Sequence, residues 1–314
     1  MSAKGLSDMK FIMDFQVQRH WNWKVAFYLY GSGTSAGLIF LEVILRNADV
    51  IRERTALYGM WIGLSLALVS LVFLFDHLGP QARWRFLYVF RRPATSWISR
   101  GAIIVTVLVL LRLLILLPSV PGFEGLPLGE NTVGGNALRG AVLLFAAAFM
   151  AYSGLVLSSW NSIAFWNSPM LPTLYIGYSF LAGMAVLPIV AVITGGQAEL
   201  ETIGTVIWPY LLVLLIANGI GLLLYLWGMS SGSLPCRESV RRLLQGEQRW
   251  SFWAGVVGIG LLLPSIAVAL ALEGQLGSGS TPAVVLVAAC LAIQAGGYLL
   301  RDTVLQVGVY GEPV

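Results

Sequence analysis

The sequence predicts an all-α integral membrane protein of about eight transmembrane helices. Three observations predict it: a composition no soluble domain shows, apolar runs of bilayer length that recur along the chain, and sharp polar breaks between them. Of 314 residues, 57% are hydrophobic and 11% charged, and the mean hydropathy is +0.80. A soluble domain carries about 25% charge. A spanning helix needs roughly 20 mostly apolar residues to cross about 30 Å of hydrocarbon. Windows at 23–45, 57–78, 98–117, 137–159, 170–194, 203–227, 250–272 and 281–300 meet that need. They are continuous rather than alternating and about twice the length of a barrel strand, so helices are expected. Between them stand Arg91, Arg92 and Pro93, then Pro118, Pro121 and Gly122, then Gly232, Pro235 and Arg237, each set a helix stop and a water-facing turn. The whole chain, 1–314, reads as one integral membrane domain with no separate soluble unit.

Residues 1–21 carry Lys4, Lys10, Arg19, Asp8 and Asp14 with no apolar core before a small-residue cleavage site, so no cleaved signal peptide is expected and the first helix anchors itself. The two cysteines, Cys236 in a loop and Cys290 in the last helix, fall short of the four thiolates an iron–sulfur cluster takes. An even helix count returns both termini to one face, called side A here. Side A collects 14 of the 19 basic residues, against Arg46, Arg52, Arg54 and Arg139 on side B and Arg112 within a helix. By the positive-inside rule side A, with both termini, is cytoplasmic. An arginine-rich face that docks an acidic partner is the alternative source of the same bias.

An ionisable group in hydrocarbon needs a partner, a cavity or a task. Glu42, near the side B end of helix 1, and Arg112, along helix 3, are expected to form an ion pair, either structural or part of a proton path. Helices 5–8 hold uncharged polar groups such as Asn218 and Gln294 until Arg301 at the border, so functional chemistry is expected in helices 1–4. There, side A gathers Gln16 and His20 before helix 1, Asp76 and His77 leaving helix 2, Arg100 opening helix 3, and Tyr152 roughly 9 Å below the end of helix 4. If residues 16–20 are helical, Gln16 and His20 share a face. A shallow, donor-rich pocket of this kind suits a quinone, whose oxygens accept hydrogen bonds and exchange protons along with electrons. Ordinary interfacial polarity, with Tyr152 in an aromatic belt, is the competing reading. His20 and His77 share a face, but His77 ends its helix, a poor place for a haem ligand, so no haem is expected.

Three segments resemble one family. Asp76-His77-Leu78-Gly79-Pro80, Trp84-Arg85 and Arg91 through Gly101 are similar to the D-L-G-R-P, F-W-R and N-P-x-T-S-W-M-S-R-G signature of the NrfD, or polysulfide reductase membrane subunit, family. Trp21 through Gly37 resembles its opening helix, W-x-W-x-x-A-x-Y-L-F-x-G-G-x-x-A-G. Tyr152 through Ser159, with Phe165 through Pro172, resembles Y-T-G-x-L-L-S-S and P-L-W-N-T-P-L-L-P. The resemblance is specific over residues 20–185. Gln16 stands where the family has Asn, and His77 and Gln81 where it has Leu and Arg.

The resemblance implies two four-helix bundles, a quinone-interacting one at 1–160 and a second at 161–314. It implies a cofactor-free membrane anchor in a respiratory oxidoreductase complex of a prokaryotic inner membrane. Such an anchor exchanges electrons between menaquinone or ubiquinone and an iron–sulfur subunit paired with a molybdopterin catalytic subunit, with lipid but no nucleic acid as a further partner. By position, Gln16, His20 and Tyr152 correspond to the quinone-site residues, and Asp76 and Arg100 to the acidic and basic motif residues. His20, Tyr152 and Asp76 are thus the expected proton-handling groups, and Gln16, His20, Tyr152 and Arg100 the quinone contacts. Arg83, Arg85, Arg91 and Arg92 are the expected docking residues, with a lipid-headgroup loop as the alternative. The competing function is a proton-coupled transporter or channel using Glu42, Arg112 and Asp76 without a redox partner. A structural anchor with a decayed site is the third.

Overall fold

In the computed structural model, residues 15–128, 132–275 and 280–311 are described. Lys4 and Lys10, counted on side A, lie outside them. The elements are α1 (Trp23–Asn47), α2 (Glu53–His77), the short α3 (Gly79–Arg83), α4 (Trp97–Leu116), α5 (Val133–Ser158), α6 (Met170–Ser230), α7 (Leu234–Leu244), a π-helix (Ser251–Leu262) that runs into α8 (Leu263–Leu272), and α9 (Ser280–Gln306). Caps set several starts: the side chains of Asn22, Ser96 and Thr132 accept from backbone N–H groups of the first turns of α1, α4 and α5. Among the described residues the only β pairing is one antiparallel bridge between Val17 and Val309.

Seven helices among the described residues are long and apolar enough to cross a membrane. The difference from the expected eight is α6, whose 61 residues are interrupted at Gly196 (φ 68°, ψ −154°). Gly195 meets Glu199, Gly177 meets Asn218 and Gly221 meets Leu174. The Tyr225 hydroxyl donates to the Phe165 carbonyl at 2.5 Å. Gly177–Asn218 and Leu174–Gly221 pair positions on opposite sides of Gly196 at nearly equal separations from it, so α6 is an antiparallel hairpin with two arms. Glycine supplies the left-handed φ at its tip. The bridge between Val17 and Val309 holds the segments that precede α1 and follow α9 on one face, as an even number of crossings requires.

Packing follows from lipid being the solvent. α1 is the least apolar of the spans and the most enclosed, with 83% of its central window buried against 28% for α4. It packs on α2, α5, α6 and α9, and small residues let it do so. A Cβ on Gly37 would fall on the Ser179 carbonyl of α6, and one on Gly183 on the Gly37–Leu38 backbone. Lipid-facing Leu110, Leu113 and Leu114 of α4 and Val213, Ile216 and Leu223 of α6 are exposed instead. Exposed Trp23, Trp84, Trp227, Trp250 and Trp253 ring side A, and Tyr58, Trp61 and Tyr210 mark side B, as aromatic belts do.

Candidate functional site

Residues 15–22 are not helical. They form an extended strap along the end of α9: the Gln18 N–H donates to the Gly308 carbonyl and the Tyr310 N–H to the Gln16 carbonyl, both at 2.9 Å. The buried Gln18 side chain secures the strap, donating to the Leu305 carbonyl at 2.8 Å and accepting from the Trp21 N–H at 2.9 Å. This pairing with the C-terminal segment, rather than a helical turn, sets the backbone at 16–20. Side chains four apart share a side of an extended chain as well. Gln16 and His20 accordingly line one open cleft of about 1590 Å³. Its other walls are Glu238, Arg241 and Arg242 of α7, Glu247 and Gln248, and Gln306, Val307 and Tyr310. Glu238 accepts from Arg241 at 2.7 and 2.8 Å and from Arg242 at 2.9 Å. Hydrogen bonding to Arg241 first, and to Arg242, holds its carboxyl below the ordinary value.

Tyr152 lies elsewhere, buried in the core. Its ring covers Gly101 of α4, where a Cβ would collide with it. It stacks on Phe149 at 6.2 Å between centroids, and Tyr28 of α1 is its hydroxyl neighbour. One helical turn closer to side A, Ser96, Trp97, Val156, Trp160 and Asn161 line a crevice of about 470 Å³. Trp21, a wall of the His20 cleft, packs edge-on against Trp160 at 5.5 Å and against Trp166 at 5.4 Å. The two tryptophans Trp21 and Trp160 therefore stand between the cleft and the crevice.

Asp76 and Arg100 do not line the cleft. Asp76 is exposed and pairs with Lys24 at 2.5 Å and with Arg83. Arg100 donates to the carbonyls of Pro93 and Ala94 at 2.8 and 2.7 Å and lies over the Trp97 ring at 4.6 Å, pinning the loop that precedes α4. Of the expected docking residues, Arg83 is held by Asp76, while Arg85, Arg91 and Arg92 are exposed beside exposed Trp84, Leu87 and Tyr88. Tyr28 was missed by sequence reasoning. It follows His20 and Lys24 at four-residue spacing, the helical signal that was available for it.

Deeper, Arg112 donates to Glu42 at 2.9 Å with both side chains fully buried, which is the expected ion pair. Two placements correct the sequence reading that confined buried charge to the first half. Glu199, between two apolar windows, is buried, forms an ion pair with Arg52 at 2.9 Å and accepts a hydrogen bond from Thr55 at 3.1 Å. Arg301, expected at the membrane border, is fully buried among α1, α6 and α9.

The protein matches the profile of the family described as "Polysulphide reductase, NrfD" over residues 14–310, well beyond the span of the sequence resemblance. It is 30% identical over 319 residues to "Protein NrfD" of Escherichia coli, covering 92% of this sequence and 94% of that protein. It is 22% identical to "Protein NrfD homolog" of Haemophilus influenzae, covering 81% and 86%. To one of the polysulfide reductase polypeptides of Wolinella succinogenes it is 25% identical, covering 78% and 82%.

Proposed function

Because the chain belongs to the NrfD family, we propose that it is the membrane subunit of a multi-subunit oxidoreductase complex, moving electrons between the membrane quinol/quinone pool and an iron–sulfur subunit that serves a molybdopterin catalytic subunit. The observation that carries this reading is that Gln16 and His20 share one cleft, separated by a Trp21–Trp160 pair from a crevice one turn above Tyr152. Donors and acceptors stand on both sides of that pair, and a quinol has two oxygens at opposite ends of its ring.

In this reading a menaquinol or ubiquinol slides in from the lipid, and rotation of Trp160 joins the two spaces. His20 accepts the proton of one hydroxyl, Gln16 hydrogen-bonds the same oxygen, and Tyr152, backed by Tyr28, hydrogen-bonds the other. Two electrons leave for the iron–sulfur partner and two protons leave for water. Asp76, paired with Lys24 at the start of α1, lies on the proton route in this reading. Arg100 contributes by fixing the loop that carries Arg91 and Arg92, which with Arg83 and Arg85 present the docking surface. Quinone reduction runs the same steps in reverse.

The test is purification of the chain in mild detergent with whatever accompanies it, then titration of a menaquinol analogue against wild type, His20→Ala and Tyr152→Phe. Iron–sulfur and molybdopterin subunits are expected to co-purify. His20→Ala is expected to weaken binding about tenfold or more, as a lost hydrogen bond of about 1.4 kcal/mol dictates. A chain that purifies alone and binds the analogue equally in all three forms overturns the reading, and transport by that lone chain favours the transporter class.

A further inference from the structure

Arg301 of α9 differs from the other buried charges. Arg112 faces Glu42, and Glu199 faces Arg52. Among the described residues, no carboxylate forms an ion pair with Arg301. Its Nη1 donates to the Gly297 carbonyl one turn back at 2.9 Å, while Nε and Nη2 are buried without a partner. Three hydroxyls share that condition. Tyr175 and Tyr178 of the first arm of α6 lie under the guanidinium, with ring centroids 5.1 and 5.9 Å from Cζ, and neither hydroxyl has a hydrogen-bond partner. Thr34 Oγ1 of α1, one turn from Tyr30, is also unpartnered. Nη2 lies beside Gly33, itself against Ser179, so α1, α6 and α9 meet at the guanidinium.

An isolated guanidinium in a membrane interior is expensive, and the neighbours relieve it only in part. The tyrosine rings offer their negative faces. The carboxyl end of α9, five residues on at Gln306, adds the negative end of its dipole. Neither supplies a hydrogen-bond acceptor. Arginine is a donor only, and three hydroxyls can all donate. What the cluster lacks is a group that is negative, accepts from every direction and fits between packed side chains. A water molecule supplies acceptor capacity without charge; a halide supplies both.

We infer that Arg301, with Tyr175 and Tyr178, forms a buried site for one small monovalent anion of the size of chloride. The ion arrives from side A, because Gln306 and Val307 line the open cleft and Arg301 lies only about 7.5 Å further along the same helix. The site does not depend on the quinone reading.

The test uses the full-length chain, with its partners where they co-purify. Thermal melting is followed as chloride replaces gluconate at constant ionic strength, in wild type, Arg301→Met and the exposed-arginine control Arg54→Met. A saturating rise of several degrees is expected in wild type and in the control, and its loss in Arg301→Met. A wild type indifferent to chloride, or an equal rise in Arg301→Met, overturns the site. Should Arg301→Met fail to fold, crystals of wild type grown in bromide decide the matter. An anomalous peak against the guanidinium supports the site, and water density alone there refutes it.

Discussion

Separating the buried Glu42–Arg112 pair distinguishes a structural tie from a proton relay. The pair is fully enclosed at 2.9 Å, and it is imperfect: Glu42 Oε1 and Arg112 Nε and Nη1 have no partner. Removing one member leaves a charge in a low-dielectric interior, or forces it to neutralise, at a cost of about 3–5 kcal/mol. Arg112→Met and Glu42→Met are each expected to lose that much. The double substitution leaves no stranded charge and replaces the pair with apolar atoms, so it should lie within about 1 kcal/mol of wild type or above it. Additive losses would instead total about 6–10 kcal/mol, and a double-mutant cycle resolves so wide a gap. The assay is reversible unfolding in mixed micelles, with quinol turnover measured per folded molecule. An additive double variant refutes the coupling. A double variant that recovers its stability and loses turnover assigns the pair to the proton path.

Two further perturbations read the site from other directions. Gly101→Ala pushes the Tyr152 ring off its seat, with an expected cost of about 1–3 kcal/mol and weaker quinol-analogue binding at an unchanged His20; a variant that melts earlier and binds equally well removes Tyr152 from the site. Glu238, whose carboxyl is held below its ordinary value of 4.5 by Arg241 and Arg242, stabilises the cleft wall above that pH, and the contribution is lost as pH falls through the lowered value. The melting difference between wild type and Glu238→Gln should therefore shrink as pH falls below 4.5; a difference that stays undiminished on acidification would contradict the assignment.

The helices were legible because hydrocarbon demands long apolar runs, a requirement that needs no knowledge of tertiary contacts. The same rule read Arg301 too close to the surface, since a single arginine near the end of a run is expected to snorkel outward. Packing of α1 and α6 around it overrides that. Glu199 escaped notice for the complementary reason: it falls in the polar gap at 195–202, and only the hairpin at Gly196 folds it inward against Gly195. The strap is the largest departure. Nothing local marks residues 15–20 as extended, because their hydrogen-bond partners lie nearly 300 positions away at 305–310. Tyr28 was legible in its spacing from His20, but its role became visible only once Tyr152 lay beside it.

The strap also orders events during biosynthesis. Residues 15–20 leave the ribosome nearly 300 residues ahead of the carbonyls and amides that fix them, from Leu305 to Tyr310. Until α9 has inserted, the strap that carries His20 lacks these backbone partners, and the cleft lacks the wall formed by Gln306, Val307 and Tyr310. A nascent chain that stops between α5 and α9 can carry every helix of the first half and still lack that wall.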